Sequence, residues 1–217
     1  SSKETIMADA NVHFFHNFLG KAFNKEVDVN ADSWYMMLLT SSASPDLSSW
    51  EYEDDLTNEV GAGGEYATGG KAMTNVTVTL IDDASAPAWA VGTAYKVGQL
   101  VRPASANGHV YRCIVAGTSH ADTEPTWPTA PGEDITDGTA TWEEAGAAYI
   151  KIDADDVVWE DSTITAAYAV VVDKTPASAA SNPLMCLIDF GGSKSSTDGD
   201  FQVACDAVYG LGLIRVA

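Results

Sequence analysis

The strongest constraint in this chain is a succession of short apolar or alternating runs, each closed by turn residues. SWYMMLLT (33–40) has the length and composition of a strand covered on both faces, and NVTVTLI (75–81) sets Val76, Val78 and Leu80 against threonines, the alternation of a half-buried strand. AYIKI (148–152), DVVW (156–159), ITAAYAVVVD (164–173), LMCLIDF (184–190), DFQVAC (200–205) and LGLIRV (211–216) continue the series. GAGGEYATGG, NP, GGSKSSTDGD and YG punctuate it. Many short strands with little helix predict a mainly β protein whose body is an antiparallel sandwich or barrel rather than an α/β fold.

One segment carries a helical period instead. Val12, Phe15, Leu19, Ala22 and Phe23 recur at the spacing of one helix face, with Phe14 and Phe18 on its flank. This predicts one short N-terminal helix with an aromatic face, capped by Asp9 or Asn11 and weakened at its end by Gly20 or Asn24.

Residues 87–147 differ from what flanks them. The span opens on PAWAVGTAYKVGQLV, holds Trp89, Trp127 and Trp142 of the chain's six tryptophans, and carries most of its prolines. Without it, the strand ending at Ile81 would meet AAYIKIDADDVVW as an ordinary hairpin. A hairpin loop tolerates insertion well, because its two ends already lie close together. The expected organisation is a discontinuous body, 1–86 and 148–217, with a small inserted all-β domain at 87–147 in which three strands wrap one aromatic core. Gly92 and Gly98 are read as its turns, and Trp89, Tyr95 and Tyr111 as its packing.

Eleven basic residues stand against 31 acidic ones, a formal charge of −20, and the basic ones are scattered singly. Nucleic-acid affinity comes largely from Lys and Arg neutralising phosphates, so no nucleic-acid partner is expected. No run approaches the roughly 18 apolar residues of a membrane helix, and no membrane partner is expected either. The opening SSKETIMADANVHFF lacks the basic, apolar and small-residue order of a signal peptide, giving synthesis in a cytoplasm as the expectation. Cys113, Cys186 and Cys205 have neither CxxC spacing nor an even count, and read as small buried hydrophobes.

The pattern supplies no nucleophile with an acid–base partner, so no catalytic residue and no enzyme activity are expected. His13 and His16, at i and i+3 of the expected helix, lack a third metal ligand, and His109 and His120 fall in loops of the 87–147 span. DVNAD (28–32), DADD (153–156) and DGD (198–200) offer the hard oxygens that calcium takes, but without EF-hand spacing. The same residues are the default turn formers, so no metal and no cofactor are assigned. GAGGEYATGG (61–70) lacks the GK[ST] ending of a phosphate loop and precedes a strand, which leaves a long flexible loop or an arm that orders against a neighbouring subunit. Exposed aromatic faces stack on sugar rings. Trp127, flanked by Pro125 and Pro128, is the first candidate for such a face, with Tyr111 and Trp142 as further candidate glycan contacts.

The spacing of Trp89, Tyr95, Gly98, Val101, Gly108 and Tyr111, W-x5-Y-x2-G-x2-V followed by G-x2-Y, resembles the small carbohydrate-binding modules appended to bacterial chitinases. GTSHADTEPTWP and DGTATWEE resemble the version of that module found in tailed-phage fibre and virion proteins. The body resembles a family of small tailed-phage virion proteins. The residues that carry this likeness are the opening helix with DSWYMMLLTSS, then NEVGAGGEYATGG with the VTVT strand, DADDVVWEDSTITAAYAVV and LIDFGGSKSSTDGDFQV.

Together these resemblances imply a virion structural protein. The leading expectation is a capsid decoration (cement) protein on the outer capsid surface, made in the bacterial cytoplasm, bound to the major capsid protein as a homotrimer. Phe14, Phe15, Phe18, Glu65 and Tyr66 are its candidate subunit or shell contacts, and the inserted module projects as a knob toward host-surface polysaccharide. The alternative is a tail-associated adhesin in which the module binds a host glycan. A secreted hydrolase fragment fits less well, for want of an acid–base pair and a signal peptide.

Overall fold

The structure, a computed structural model, describes residues 4–7, 12–205 and 212–216, the first and last of these segments as backbone. From the N-terminus it forms β1 (Glu4–Met7), β2 (Val12–Phe14), helix α1 (Phe18–Phe23), β3 (Trp34–Leu39), a 3-10 turn at Glu53–Asp55 and β4 (Lys71–Ala72). β5 (Thr77–Asp82) is followed by β6 (Ala94–Tyr95), β7 (Leu100–Val101), β8 (Tyr111–Val115), β9 (Gly117–Thr118), β10 (Asp134–Asp137), β11 (Ala140–Glu144) and β12 (Ala148–Asp153). β13 (Val157–Ser162), β14 (Thr165–Asp173), β15 (Leu184–Ser195), β16 (Gly199–Ala204) and β17 (Gly212–Val216) complete it. The protein is mainly β, with several antiparallel sheets and, among the described residues, one α-helix and no closed barrel. It divides into two compact units. One takes the described residues up to Thr77 and from Asp153 to Cys205, the other Val78–Ile152 and Leu213–Val216.

The first unit is built on a five-stranded sheet in the order β2-β15-β14-β3-β4. WYMMLL and AVVV are apolar at consecutive positions because β3 and β14 are covered on both faces. Met36, Leu38, Leu39, Val170, Val171 and Val172 are all buried. The two strands pair antiparallel from Tyr168 opposite Leu39 to Asp173 opposite Trp34. A second sheet, β1-β16-β13, joins β13 to β16 antiparallel, but β1 runs parallel to β16, a departure from the all-antiparallel expectation. Trp159 of β13 packs between Tyr66 and Phe201, with ring centroids 5.7 and 6.2 Å away.

The expected N-terminal helix is shorter than its period implied. Val12–Phe14 is a strand, paired to the free edge of β15 with Phe14 opposite Cys186 and Val12 opposite Ile188, so the helix begins only at Phe18. A β-branched, aromatic tripeptide beside an unpaired strand gains backbone hydrogen bonds that an isolated helical turn cannot match. The predicted cap residues Asp9 and Asn11 lie outside the described residues. Asn17 takes the cap position without a side-chain bond, and Asn24 ends the helix. Lys21, buried on α1, ties the helix to the following loop through Tyr52 Oη at 2.8 Å and Glu51 at 2.7 Å.

Two further readings are corrected. GGSKS of the expected turn continues β15, with Lys194 opposite Ala166 and Ser195 opposite Thr165. The GAGGEYATGG segment is no free arm. The Glu65 N–H donates to Ser162 Oγ at 2.9 Å, and the Leu38 N–H donates to Tyr66 Oη at 3.0 Å. At Gly70 (φ +79°) an added Cβ would stand 2.2 Å from Met36 O, so only glycine permits the approach.

The second unit contains the sheet β10-β11-β8-β7, the pair β6-β9 and the sheet β17-β12-β5, where three strands around one core were expected. β5 and β12, the strands before and after the aromatic-rich span, are neighbours. β5 lies at an edge, and Val78 and Leu80 (55% exposed) face solvent rather than a core, so its alternation does not mark a half-buried strand. Leu100 and Val110 belong to one apolar cluster with Ala145 and Tyr149, while their neighbours Val101 and Tyr111 belong to another with Trp89 and Trp142. Consecutive residues of an extended chain point to opposite faces, so one sheet serves two cores.

Candidate functional site

The aromatic core of the second unit is organised around a buried carboxylate. Asp137, the last residue of β10, accepts Trp89 Nε1–H at 2.7 Å and Trp142 Nε1–H at 3.2 Å on Oδ2, and the His120 N–H at 2.8 Å on Oδ1. Three donors satisfy a charge that would otherwise be costly to bury. In sequence this residue is the Asp of an Asp-Gly turn, and nothing local distinguishes it from a solvated turn former. The signal lies in two indoles that lack other partners.

The rings form a continuous run. Tyr95 meets Trp142 edge-on at 4.7 Å, Trp142 meets Trp127 at 5.9 Å, and Trp127 lies over Tyr111 at 4.3 Å and 41°. The structure therefore brings together the three candidate glycan contacts, Trp127, Tyr111 and Trp142, but with unequal access. Tyr111 and Trp142 are fully buried and back Trp127 instead of offering faces of their own, while Trp127 is partly buried at the margin.

Trp127 is held from several sides. Its Nε1–H donates to Glu124 Oε1 at 2.8 Å, the same oxygen that accepts the Ala104 N–H at 2.7 Å. One residue on, Pro128 O accepts the Tyr111 hydroxyl at 2.7 Å, and that hydroxyl accepts Asn107 Nδ2–H at 2.8 Å. Burial pushes the Tyr111 phenol up, so it remains a neutral donor. Elsewhere in the unit a second buried carboxylate, Glu144, binds His109 Nδ1 and the Gly146 N–H, both at 2.7 Å. The arrangement contains a pre-positioned indole.

The candidate contacts of the first unit are largely internal. Phe15, Phe18 and Tyr66 are buried, and half-buried Phe14 stacks on Phe18 at 5.6 Å. Glu65 is exposed, but its carboxylate accepts the Glu160 N–H at 3.0 Å and faces Lys71 Nζ at 3.3 Å, which together hold it below the usual carboxylate range. The apolar groups that α1 does show to solvent are Leu19 and Phe23, the latter 84% exposed, residues the helical period had placed on the inner face.

His13 lies on β2 and His16 in the turn after it, so the helical pairing assumed for them does not exist. Among the described residues, no three His, Cys, Asp or Glu side chains gather as a metal-binding group, and no helix is long and apolar enough to cross a membrane. Asp155 accepts Thr74 Oγ1–H and Asn75 Nδ2–H, both at 2.7 Å, and Asp156 accepts the Cys205 N–H at 3.0 Å, so these acids fasten loops. All three cysteines are buried and free, and burial pushes the Cys205 thiol up to about 12.

Residues 88–143 match the family model of carbohydrate-binding module family 5/12. No curated protein and no solved structure matches the chain. The segment that holds Trp89, Asp137, Trp142 and the partly exposed Trp127 is thus similar to a family of non-catalytic carbohydrate-binding modules.

Proposed function

We propose that the protein is a tailed-phage decoration (cement) protein of the outer capsid surface, with residues 87–147 as an inserted module that contacts host-surface glycans. The observation that carries the glycan part is the similarity of residues 88–143 to a carbohydrate-binding family, with Trp127 fixed by Glu124 at the margin of the aromatic core. A ring already held in place loses little freedom on stacking against a sugar.

The head assignment rests on the body's resemblance to small virion proteins and on the charge of −20, which disfavours a DNA-facing position. In this role the body acts mechanically. A protein that binds the assembled lattice of the major capsid protein, and not its free subunits, stabilises the shell by linkage. A homotrimer at capsomer junctions and synthesis in the bacterial cytoplasm belong to the same proposal.

The carbohydrate-binding similarity favours one second reading, a tail-associated adhesin. Quantifying the protein against the major capsid protein in purified particles separates the two. A decoration protein is expected at copy numbers comparable to the capsid protein, whereas a few copies confined to the tail overturn the head assignment in favour of the adhesin.

A further inference from the structure

Asn107 is the one asparagine of the chain followed by glycine; the others precede Val, Phe, Lys, Ala, Glu or Pro. The backbone nitrogen of the next residue can attack an asparagine amide, an approach that a following Cβ obstructs and a following proline, lacking the N–H, forbids. Asn107 and Gly108 are both exposed in the loop between β7 and β8. Gly108 has φ +83°, and nothing stands within 4 Å of the place its Cβ would take. Around this pair the second unit holds each group that such an attack needs. The Gly108 N–H donates to Asp83 Oδ2 at 3.0 Å, so the attacking nitrogen already rests its proton on a carboxylate. The His109 N–H donates to Asn107 Oδ1 at 3.1 Å, where negative charge develops as Cγ becomes tetrahedral. His109 is itself fixed, its Nδ1 2.7 Å from Glu144 Oε1. Asn107 Nδ2–H donates to Tyr111 Oη at 2.8 Å, and that hydroxyl gives its own proton to Pro128 O at 2.7 Å, beside Trp127.

We infer that Asn107 and Gly108 form a self-modifying site, at which the folded chain converts Asn107 to aspartate or isoaspartate and thereby detaches the support beside Trp127. The Gly108 nitrogen bonds to Asn107 Cγ while its proton passes to Asp83. The Cγ–Nδ2 bond then breaks, and the amide nitrogen takes up that proton and leaves as ammonia. Water opens the resulting cyclic imide at either carbonyl, giving aspartate or isoaspartate at 107. The product has lost the donor that faced Tyr111 Oη. A carboxylate there competes with Pro128 O for the single proton of the phenol, and the isoaspartate form also lengthens the backbone of the loop. Either way the hydrogen bonds running from Asn107 through Tyr111 to Pro128 are no longer all made. The conversion needs no partner other than water and proceeds once per chain, so the state of residue 107 records the age of each molecule.

The test incubates the intact folded protein in neutral buffer at physiological temperature and follows it by digestion and peptide mass spectrometry. The peptide containing Asn107 is expected to gain about 1 Da and to resolve into aspartate and isoaspartate forms, while the peptides of the other asparagines stay unchanged. D83N keeps an acceptor for the Gly108 N–H and removes the charge, and should slow the gain about tenfold. N107D, which stands for the aspartate product, should melt about 2–4 °C below wild type and be retained less on host-envelope polysaccharide. No mass gain at Asn107, or a gain equally fast in D83N, overturns the self-modifying site. An N107D melting temperature equal to that of wild type overturns its effect on the support beside Trp127. The mass readout requires no variant to fold and no sugar to bind. Only the loss of retention rests on the glycan reading, so failure of that reading is distinguishable from failure of the site.

Discussion

Trp89 and Asp137, 48 residues apart in the chain, are joined by an indole N–H to carboxylate bond of 2.7 Å inside the second unit. The same oxygen accepts the Trp142 indole, and the other oxygen the His120 N–H. Asp137→Ala strands these donors in an apolar core and is expected to cost about 2–4 kcal/mol, read by denaturant unfolding followed through tryptophan fluorescence. Asp137→Asn should lose a comparable amount, because its amide NH₂ would turn a donor toward donors. A neutral result for both variants would show that the carboxylate does not organise the core.

Trp127→Ala acts on binding and packing together, since the ring lies over Tyr111 and against Trp142. Retention on host-envelope polysaccharide is expected to disappear, with a stability loss of about 1–3 kcal/mol because the ring is only partly buried. Trp127→Phe keeps a ring in the stack and should recover most of the stability but only part of the retention. Both are checked by pull-down well below the melting temperature. Full retention by the alanine variant would leave the module a spacer.

Gly70→Ala tests whether the glycine-rich segment is docked. Its positive φ and the 2.2 Å approach of a Cβ to Met36 O both oppose the substitution, and a loss of about 2–4 kcal/mol is expected. Gly61 has open space around its Cβ position, and Gly61→Ala should stay within about 0.5 kcal/mol of wild type. Equal effects at the two positions in a denaturant titration would return the segment to a flexible loop.

Lys21 gives a pH dependence in the alkaline range. Burial pulls its ammonium down, but the bonds to Glu51 and Tyr52 outweigh this and hold it above the ordinary lysine value. Its contribution is therefore complete below the unfolded value of about 10.4 and is lost as pH rises through the folded value. Wild type should lose stability in that alkaline window relative to Lys21→Met, which keeps the stem and lacks the charge. Parallel unfolding curves for the two proteins through the window would exclude the effect.

The mainly β class, the position of most strands and the aromatic composition of the 87–147 span are legible in the sequence. Apolar runs such as WYMMLL and AVVV, and turn formers such as Gly92 and Gly98, act through their immediate neighbours in the chain, and local order is enough to read them. The residues whose roles were missed depend on partners far away in sequence. Val12–Phe14 carries a helical period, yet becomes a strand because β15 leaves an edge for it. Leu19 and Phe23 match the expected inner face and end outside it, because the helix starts only at Phe18. Glycine at 64 and 70 reads as flexibility and serves close packing.

The same division holds for the site. Trp127 stands out in the sequence as a tryptophan between prolines, and it is, with Tyr95, one of the two rings of the run left partly exposed. Tyr111 and Trp142 carry the same aromatic signal, but only the tertiary structure decides that they are core, because burial depends on what the other strands cover. Asp137 and Asp173 go furthest in this direction. As letters they are turn formers, and their burial, with two indoles around the first, exists only after distant segments have met.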